Sequence, residues 1–252
     1  MAIAEYLHIV KVKDTMNRFL LGRLQAAGIA LLLLAAYSVG NAQNVTFLPE
    51  TDVYLKLGPS WRAYVQAKND QDAGGSPELS IGPSIQRYVK PLIKLKNVTV
   101  FDLDDSKKRA LVLEAGYRYI TGSNEVPENR VEAIATSHFP MKAQFLISDR
   151  NRADLDWKNG FTWRYRNKLT IERNFSVQSY HFIPYAAAEA YYESQYAKWS
   201  TTDLYAGCLF PVGKYVQFDP YYRHENNTGK APNQQQNAIG LAVYFFFSIE
   251  HK

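Results

Sequence analysis

The sequence predicts an all-β protein: a single antiparallel transmembrane β-barrel of about ten strands, with twelve as the alternative, after a cleaved signal peptide. The first observation behind this is strict alternation. From Phe161 the odd positions read Phe161, Trp163, Tyr165, Asn167, Leu169 and Ile171, and the even ones Thr162, Arg164, Arg166, Lys168, Thr170 and Glu172. A period of two places these sets on opposite faces of one strand, the first apolar and the second charged. The second is length. Strands of a transmembrane barrel need about 9–11 residues, with an aromatic-rich outer face and a polar interior, whereas soluble strands are usually shorter. The third is the rhythm of the connections. GPS, FPM and PVGK are short, while NDQDAGGSP, TGSNEVPEN and NNTGKAPNQQQ are long. Barrels of the outer membrane have short periplasmic turns and longer outer loops. Asn159-Gly160 breaks the rhythm, being short where parity calls for a long loop.

Composition agrees with a barrel. The 252 residues include 18 Tyr, 13 Phe and 4 Trp, yet mean hydropathy is −0.32. A helical membrane protein is far more apolar, whereas a barrel shows lipid only every second strand residue. The net charge of +5 is too mild to point to nucleic acid, and no basic run is interleaved with stacking aromatics. The lone Cys208 excludes an internal disulfide and a Cys-rich zinc site.

Residues 1–42 read as an N-terminal extension and signal peptide, and 43–252 as the barrel. Arg18 and Arg23 precede the apolar run AAGIALLLLAAYSV, and Gly40-Asn41-Ala42 supplies small residues for cleavage after Ala42. The apolar core is shorter than the roughly 20 residues of a membrane-spanning helix. Met1–Thr15 is an unusual prefix, and Met16 followed by Asn17-Arg18 is the more ordinary beginning. No lipobox cysteine stands near the cleavage site.

Strands are expected over Asp52–Leu57, Trp61–Lys68, Glu78–Val89, Arg109–Ile120, Arg130–His138 and Lys142–Trp157, each bounded by turn residues. Lys90–Lys108 reads as an elaborated turn or an extra strand. Asn159-Gly160 is the pair favoured in a two-residue hairpin. The alternating hairpin follows, its second arm running through Tyr180–Glu193, with a turn near Asn174–Val177. Thr202–Phe210, Tyr215–Glu225 and Asn237–Ile249 complete the set. Ten strands count from Trp61 onward, and Asp52–Leu57 and Lys90–Lys108 are the two that lead to twelve.

The segments DRNRADLDW (149–157), RYRNKLTIE (164–172), PYAAAEAYYE (184–193), KWSTTDLYAGCLFP (198–211) and YYRHENNTGKAPNQQ (221–235) resemble the domain-of-unknown-function 2490 family (DUF2490). The resemblance covers roughly the C-terminal two thirds. It implies a secreted Gram-negative protein and an outer-membrane barrel, and carries no catalytic residue with it. The final aromatic Phe247 is followed by Ser-Ile-Glu-His-Lys rather than ending the chain.

The charged faces collect a candidate lumen cluster: Arg150, Arg152, Arg164, Arg166, Lys168, Glu172, His181, Tyr185 and Glu189. Asp154, Asp156, Glu193, Asp203, Asp219, Arg223 and Glu225 share these inward faces. One reading is that the charges pair across strands and plug a narrow interior, because buried charges must be paired. The other is a pocket or channel for a small polar or anionic solute, with Arg164 and Arg166 gripping a carboxylate or phosphate. Enzyme signatures are weak. None of His138, His181 or His224 is followed two residues later by serine, as barrel phospholipases require. His224 points away from Asp219 and Glu225 on the same strand. No metal-ligand spacing or cofactor motif is present, and Asp102-Leu103-Asp104-Asp105 lacks the glycine and glutamate of a calcium loop. The expectation is an outer-membrane barrel of structural or transport role. Its expected partners are membrane lipid, the barrel-assembly machinery and a small polar solute, with no nucleic acid. A lipid- or envelope-modifying hydrolase and a soluble calycin-like barrel are the alternatives.

Overall fold

The computed structural model describes residues 45–89, 102–123, 125–178, 180–229 and 231–249. The signal peptide, the choice of start codon and the first part of Lys90–Lys108 lie outside the described residues.

Alternation builds the strands the sequence predicts, in most cases longer. They are β1 (Val45–Lys56), β2 (Trp61–Asp70), β3 (Glu78–Val89), β4 (Leu111–Gly122), β5 (Glu128–Pro140), β6 (Phe145–Trp157), β7 (Phe161–Arg173), β8 (Phe175–Val177), β9 (Tyr180–Glu193), β10 (Lys198–Val212), β11 (Val216–Asn227) and β12 (Gln234–Ser248). Strands β1 to β7 follow one another around a ring, β9 to β12 continue it, and β12 returns to β1. The three-residue β8 pairs with the start of β9 and stands outside the ring.

The ring has eleven strands, not ten or twelve. The ten from Trp61 onward are present, and β1 is the eleventh. It pairs with β2 from Glu50↔Lys68 to Lys56↔Arg62. Its outward Pro49 and Thr51 and its inward Leu48 dilute the alternation, so only its second half was visible in the sequence. The described part of Lys90–Lys108 forms no strand. It contains a short 3-10 turn, Asp105–Lys108, capped by the Asp104 carboxylate, which accepts from the Ser106 N–H.

Consecutive strands alternate in direction, so in a ring of odd number the first and last run the same way. The contacts agree: Gln236 Nε2 donates to Thr46 Oγ1 near the start of both strands, and the Ile249 N–H donates to the Lys56 carbonyl at their ends. Turns 57–60, 141–144 and 213–215 lie at one end, the short-turn end. Loops 71–77, 123–127 and 228–233 lie at the other, the long-loop end. The hairpin at Asn159-Gly160 is also at the long-loop end. Trp157 pairs with Phe161, so its turn has three residues rather than two, with Gly160 at φ +140°, which other residues rarely adopt.

The wall is apolar outside and charged inside. Trp61, Val65, Ile81, Trp163, Leu169 and Leu241 are exposed on its outer surface, while Arg118, Asp154, Glu189 and Glu225 are 2 % exposed or less. A calycin-like barrel would need the reverse. The outer surface is interrupted at mid-height on β6 and β7, where Asn167 Nδ2 donates to Asp149 (2.7 Å) and Asn151 (3.1 Å) and Tyr165 donates to Asn151. Mutual bonding offsets part of the cost of placing polar groups on an apolar face.

Candidate functional site

The lumen is built by the even positions of β1 to β7 and β12 and the odd positions of β9 to β11, and its charges are organised by register. Asp154 on β6 sits directly opposite Arg164 on β7, with Arg152 beside it. Its carboxylate bonds Arg152, lies 3.3 Å from Arg164 and 3.9 Å from Arg166. Glu189 on β9 is shared by Arg150 (3.0 Å) and Arg166 (2.9 Å). Glu132 on β5 bridges Arg152 (2.6 Å) and Arg118 (3.4 Å). Each carboxylate serves two or more guanidinium groups, an arrangement that gives every arginine of the network a carboxylate partner while the cations outnumber the anions.

Of the nine predicted cluster residues, this network holds Arg150, Arg152, Arg164, Arg166 and Glu189. Lys168 and Tyr185 line the same lumen, and Glu172 lies nearer the short-turn end. Arg164 and Arg166 are engaged by Asp154 and Glu189, and Arg166 also donates to the Tyr191 hydroxyl (2.7 Å). They are therefore not free to grip an anion. His181 stands apart, on the outlying hairpin of β8 and β9, where its Nδ1 is 3.0 Å from Ser176 Oγ.

The segment between β3 and β4 supplies what the sequence did not reveal. Its residues 102–110 cross the lumen at the short-turn end and are held from widely spaced strands. Arg62 on β2 donates to Asp104 (2.5 Å), and Lys107 bridges Glu172 on β7 (2.8 Å) and its own neighbour Asp102. The Leu103 N–H donates to Gln217 on β11 (3.3 Å), and His138 Nδ1 on β5 contacts the Arg109 carbonyl (2.8 Å). This is a plug. Burial works against charge on Asp104, but the Arg62 guanidinium overcomes it and holds the carboxyl well below its usual range. Burial likewise works against the Lys107 ammonium, and Asp102 and Glu172 more than offset it, raising its pKa. The only sequence signals of this plug were its charge density and its position on the short-turn end, where a long connection is out of place.

Behind the plug lies a cavity of about 310 Å³, continuous in its lining with one of about 160 Å³ nearer the long-loop end. Glu50, Gln66, Arg150, Lys168, Tyr185 and Asp219 border both. The space owes its shape to a row of alternating Tyr and Gly. Tyr185, Gly207, Tyr221 and Gly240 are successive cross-strand partners on β9 to β12. Each ring covers the neighbouring glycine so closely that a Cβ there would collide with it. The rings lie along the wall instead of filling the lumen.

Around the cavity, several carboxylates are bonded, among the described residues, only by neutral donors. Asp52 accepts from the Tyr54 hydroxyl (2.9 Å) and, at 3.5 Å, from Gln66; Glu50 accepts from Gln66 (2.7 Å). Asp219 accepts from the hydroxyls of Tyr185 (3.2 Å) and Tyr244 (3.1 Å). Oδ1 of both Asp52 and Asp219 is buried without a partner.

The architecture is that of an up-and-down β-barrel, turned inside out relative to a soluble protein, with a charged and plugged lumen. The chain belongs to the family described as protein of unknown function (DUF2490), whose profile matches residues 106–236. A solved structure, a bacterial polysaccharide outer membrane secretin, aligns with a TM-score of 0.46 and 10% identity, covering 72% of this chain and 63% of that one. The present chain thus spans less than two thirds of that protein's length. No curated protein matches the sequence.

Proposed function

We propose that this protein is an outer-membrane β-barrel that binds a small polar solute in its lumen, in a structural or transport role. The observation that carries the reading is the division of the wall. Large apolar side chains cover its outside, where only hydrocarbon would relieve their exposure to water, and charged groups line the cavity within. The eleven-strand count is unusual for bacterial barrels, which have even numbers, but closure by a parallel pair leaves no open edge. The signal peptide is the route of export, the barrel-assembly machinery the means of insertion, and membrane lipid the partner of the outer face.

The test is heat-modifiable gel migration combined with cell fractionation. The folded barrel runs compactly in detergent until boiled and sediments with outer membranes. Recovery in the periplasmic fraction, with identical migration before and after boiling, overturns the reading.

A further inference from the structure

We infer that the solute bound in the lumen is a small zwitterion, its cationic group held by Asp52, Asp219 and Glu50 and its anionic group by Lys168. This rests on the reading of the lumen as a solute site.

The cations and anions of the wall are unequally compensated. The inward arginines of β6 and β7 outnumber Asp154, Glu189 and Glu132, but each is bonded to at least one of them, Arg150 through one nitrogen with its Nε unpartnered. Lys168 differs. Among the described residues no carboxylate lies within ion-pair distance of it, and its ammonium instead sits 3.6 Å from the centre of the Tyr205 ring. Glu50, Asp52 and Asp219 are its mirror image: three carboxylates with hydroxyl and amide donors but, among the described residues, no cation within ion-pair distance of any of them. Asp52 and Asp219 are 2 % and 6 % exposed, and each keeps one oxygen unpartnered. A buried charge without a counter-charge is costly, and a ligand carrying that counter-charge recovers the cost.

The ring sets the two kinds of group against each other. Between β7, which carries Lys168, and β1, which carries Glu50 and Asp52, lie β2 to β6 on one side and β9 to β12 on the other. They are therefore opposite walls, about 20 Å apart at the backbone for this strand number and an ordinary tilt. The cavity of about 310 Å³ between them has room for a small molecule. Asp219 on β11 flanks the acidic side, and all four residues border both cavities except Asp52, which borders the larger. A simple anion would satisfy Lys168 and leave the acids bare. A simple cation would do the opposite. A solute with both charges satisfies the two walls at once, oriented by the field between them.

The experiment is isothermal titration of the folded barrel in detergent with three probes of equal carbon chain: β-alanine, propionate and propylamine. β-Alanine is expected to bind tighter than either of the others by about tenfold or more, the worth of one charge-assisted hydrogen bond. Lys168→Met should weaken β-alanine about as much and leave propylamine unchanged, and Asp219→Asn should weaken β-alanine and propylamine and leave propionate unchanged. Equal binding of propionate or propylamine by the unmodified protein overturns the inference, as does failure of all three to bind. The comparison of probes on the unmodified chain needs no variant to fold. Heat-modifiable migration run on the same sample separates the two levels. A shift on boiling with no β-alanine binding removes the zwitterion alone, whereas no shift removes the barrel reading beneath it.

Discussion

The backbone N–H of Ile249 donates to the carbonyl of Lys56 at 3.2 Å, which ties the residue after the last strand to the end of the first strand. Near the other ends of the same strands, Gln236 Nε2 donates to Thr46 Oγ1 at 2.5 Å. Two such ties, in the same order along both strands, make the seam parallel while the neighbouring pairs β1–β2 and β11–β12 are antiparallel.

The seam can be tested by cross-linking. With Cys208→Ser as background, Thr46→Cys combined with Gln236→Cys should be joined within one chain by a short bis-maleimide in the folded barrel. Boiling before the reagent is added should abolish the product. A folded barrel that yields no such product would show that β1 closes the ring elsewhere.

The plug should depend on Arg62. Arg62→Ala leaves the partly buried Asp104 without its guanidinium, and losing a hydrogen bond to a charged group costs about 1.5–3 kcal/mol. The expected result is a lower denaturant midpoint with strand content retained. Ser106, 7 % exposed within the plug, provides a local probe. In Cys208→Ser, Ser106→Cys should resist a hydrophilic maleimide, and adding Arg62→Ala should make it reactive. Equal reactivity with and without Arg62 would mean that the ion pair does not hold the segment.

The pH range of the closed plug follows from the same groups. Asp104 is held below its ordinary value of 3.8, so its contribution is complete above that pH and is lost only as pH falls through the still lower folded value. Lys107 is raised above its ordinary 10.5, so its contribution is complete below that pH and is lost as pH rises beyond it. Protection of the cysteine at position 106 should therefore be level between those two values. Loss of protection near neutral pH would place control of the plug in some other group.

Glycine at 240 should be irreplaceable where Gly58 is not. A Cβ at Gly240 meets the Tyr221 ring, while one at Gly58 meets nothing within 4 Å. Gly240→Ala should cost about 1–3 kcal/mol, the usual range for overpacking. Gly58→Ala should change the unfolding midpoint little. Equal effects would mean that the Tyr–Gly row does not shape the wall.

The alternation at Phe161–Glu172 was enough to assign faces to β7, and with it the outward Trp163 and Leu169 and the inward Arg164, Arg166 and Lys168. Facing is a local property, set by the backbone pleat two residues at a time. The same logic recovered ten strands and the inward facing of Arg150, Arg152, Lys168 and Glu189. It misplaced His181, because the short β8 draws the start of β9 out beyond the ring. It left open whether Arg164 and Arg166 are paired across strands or grip an anion, because nothing local discloses that Asp154 and Glu189 lie against them.

Sidedness, strand length and the charged interior are thus written in the order of residues along the chain, because each depends only on near neighbours. The parallel seam, the plug held by Arg62 and Glu172, and the opposition of Lys168 to Asp52 are not. They join residues far apart in sequence, and they come into being only when register and ring closure bring those residues to the same level of the lumen.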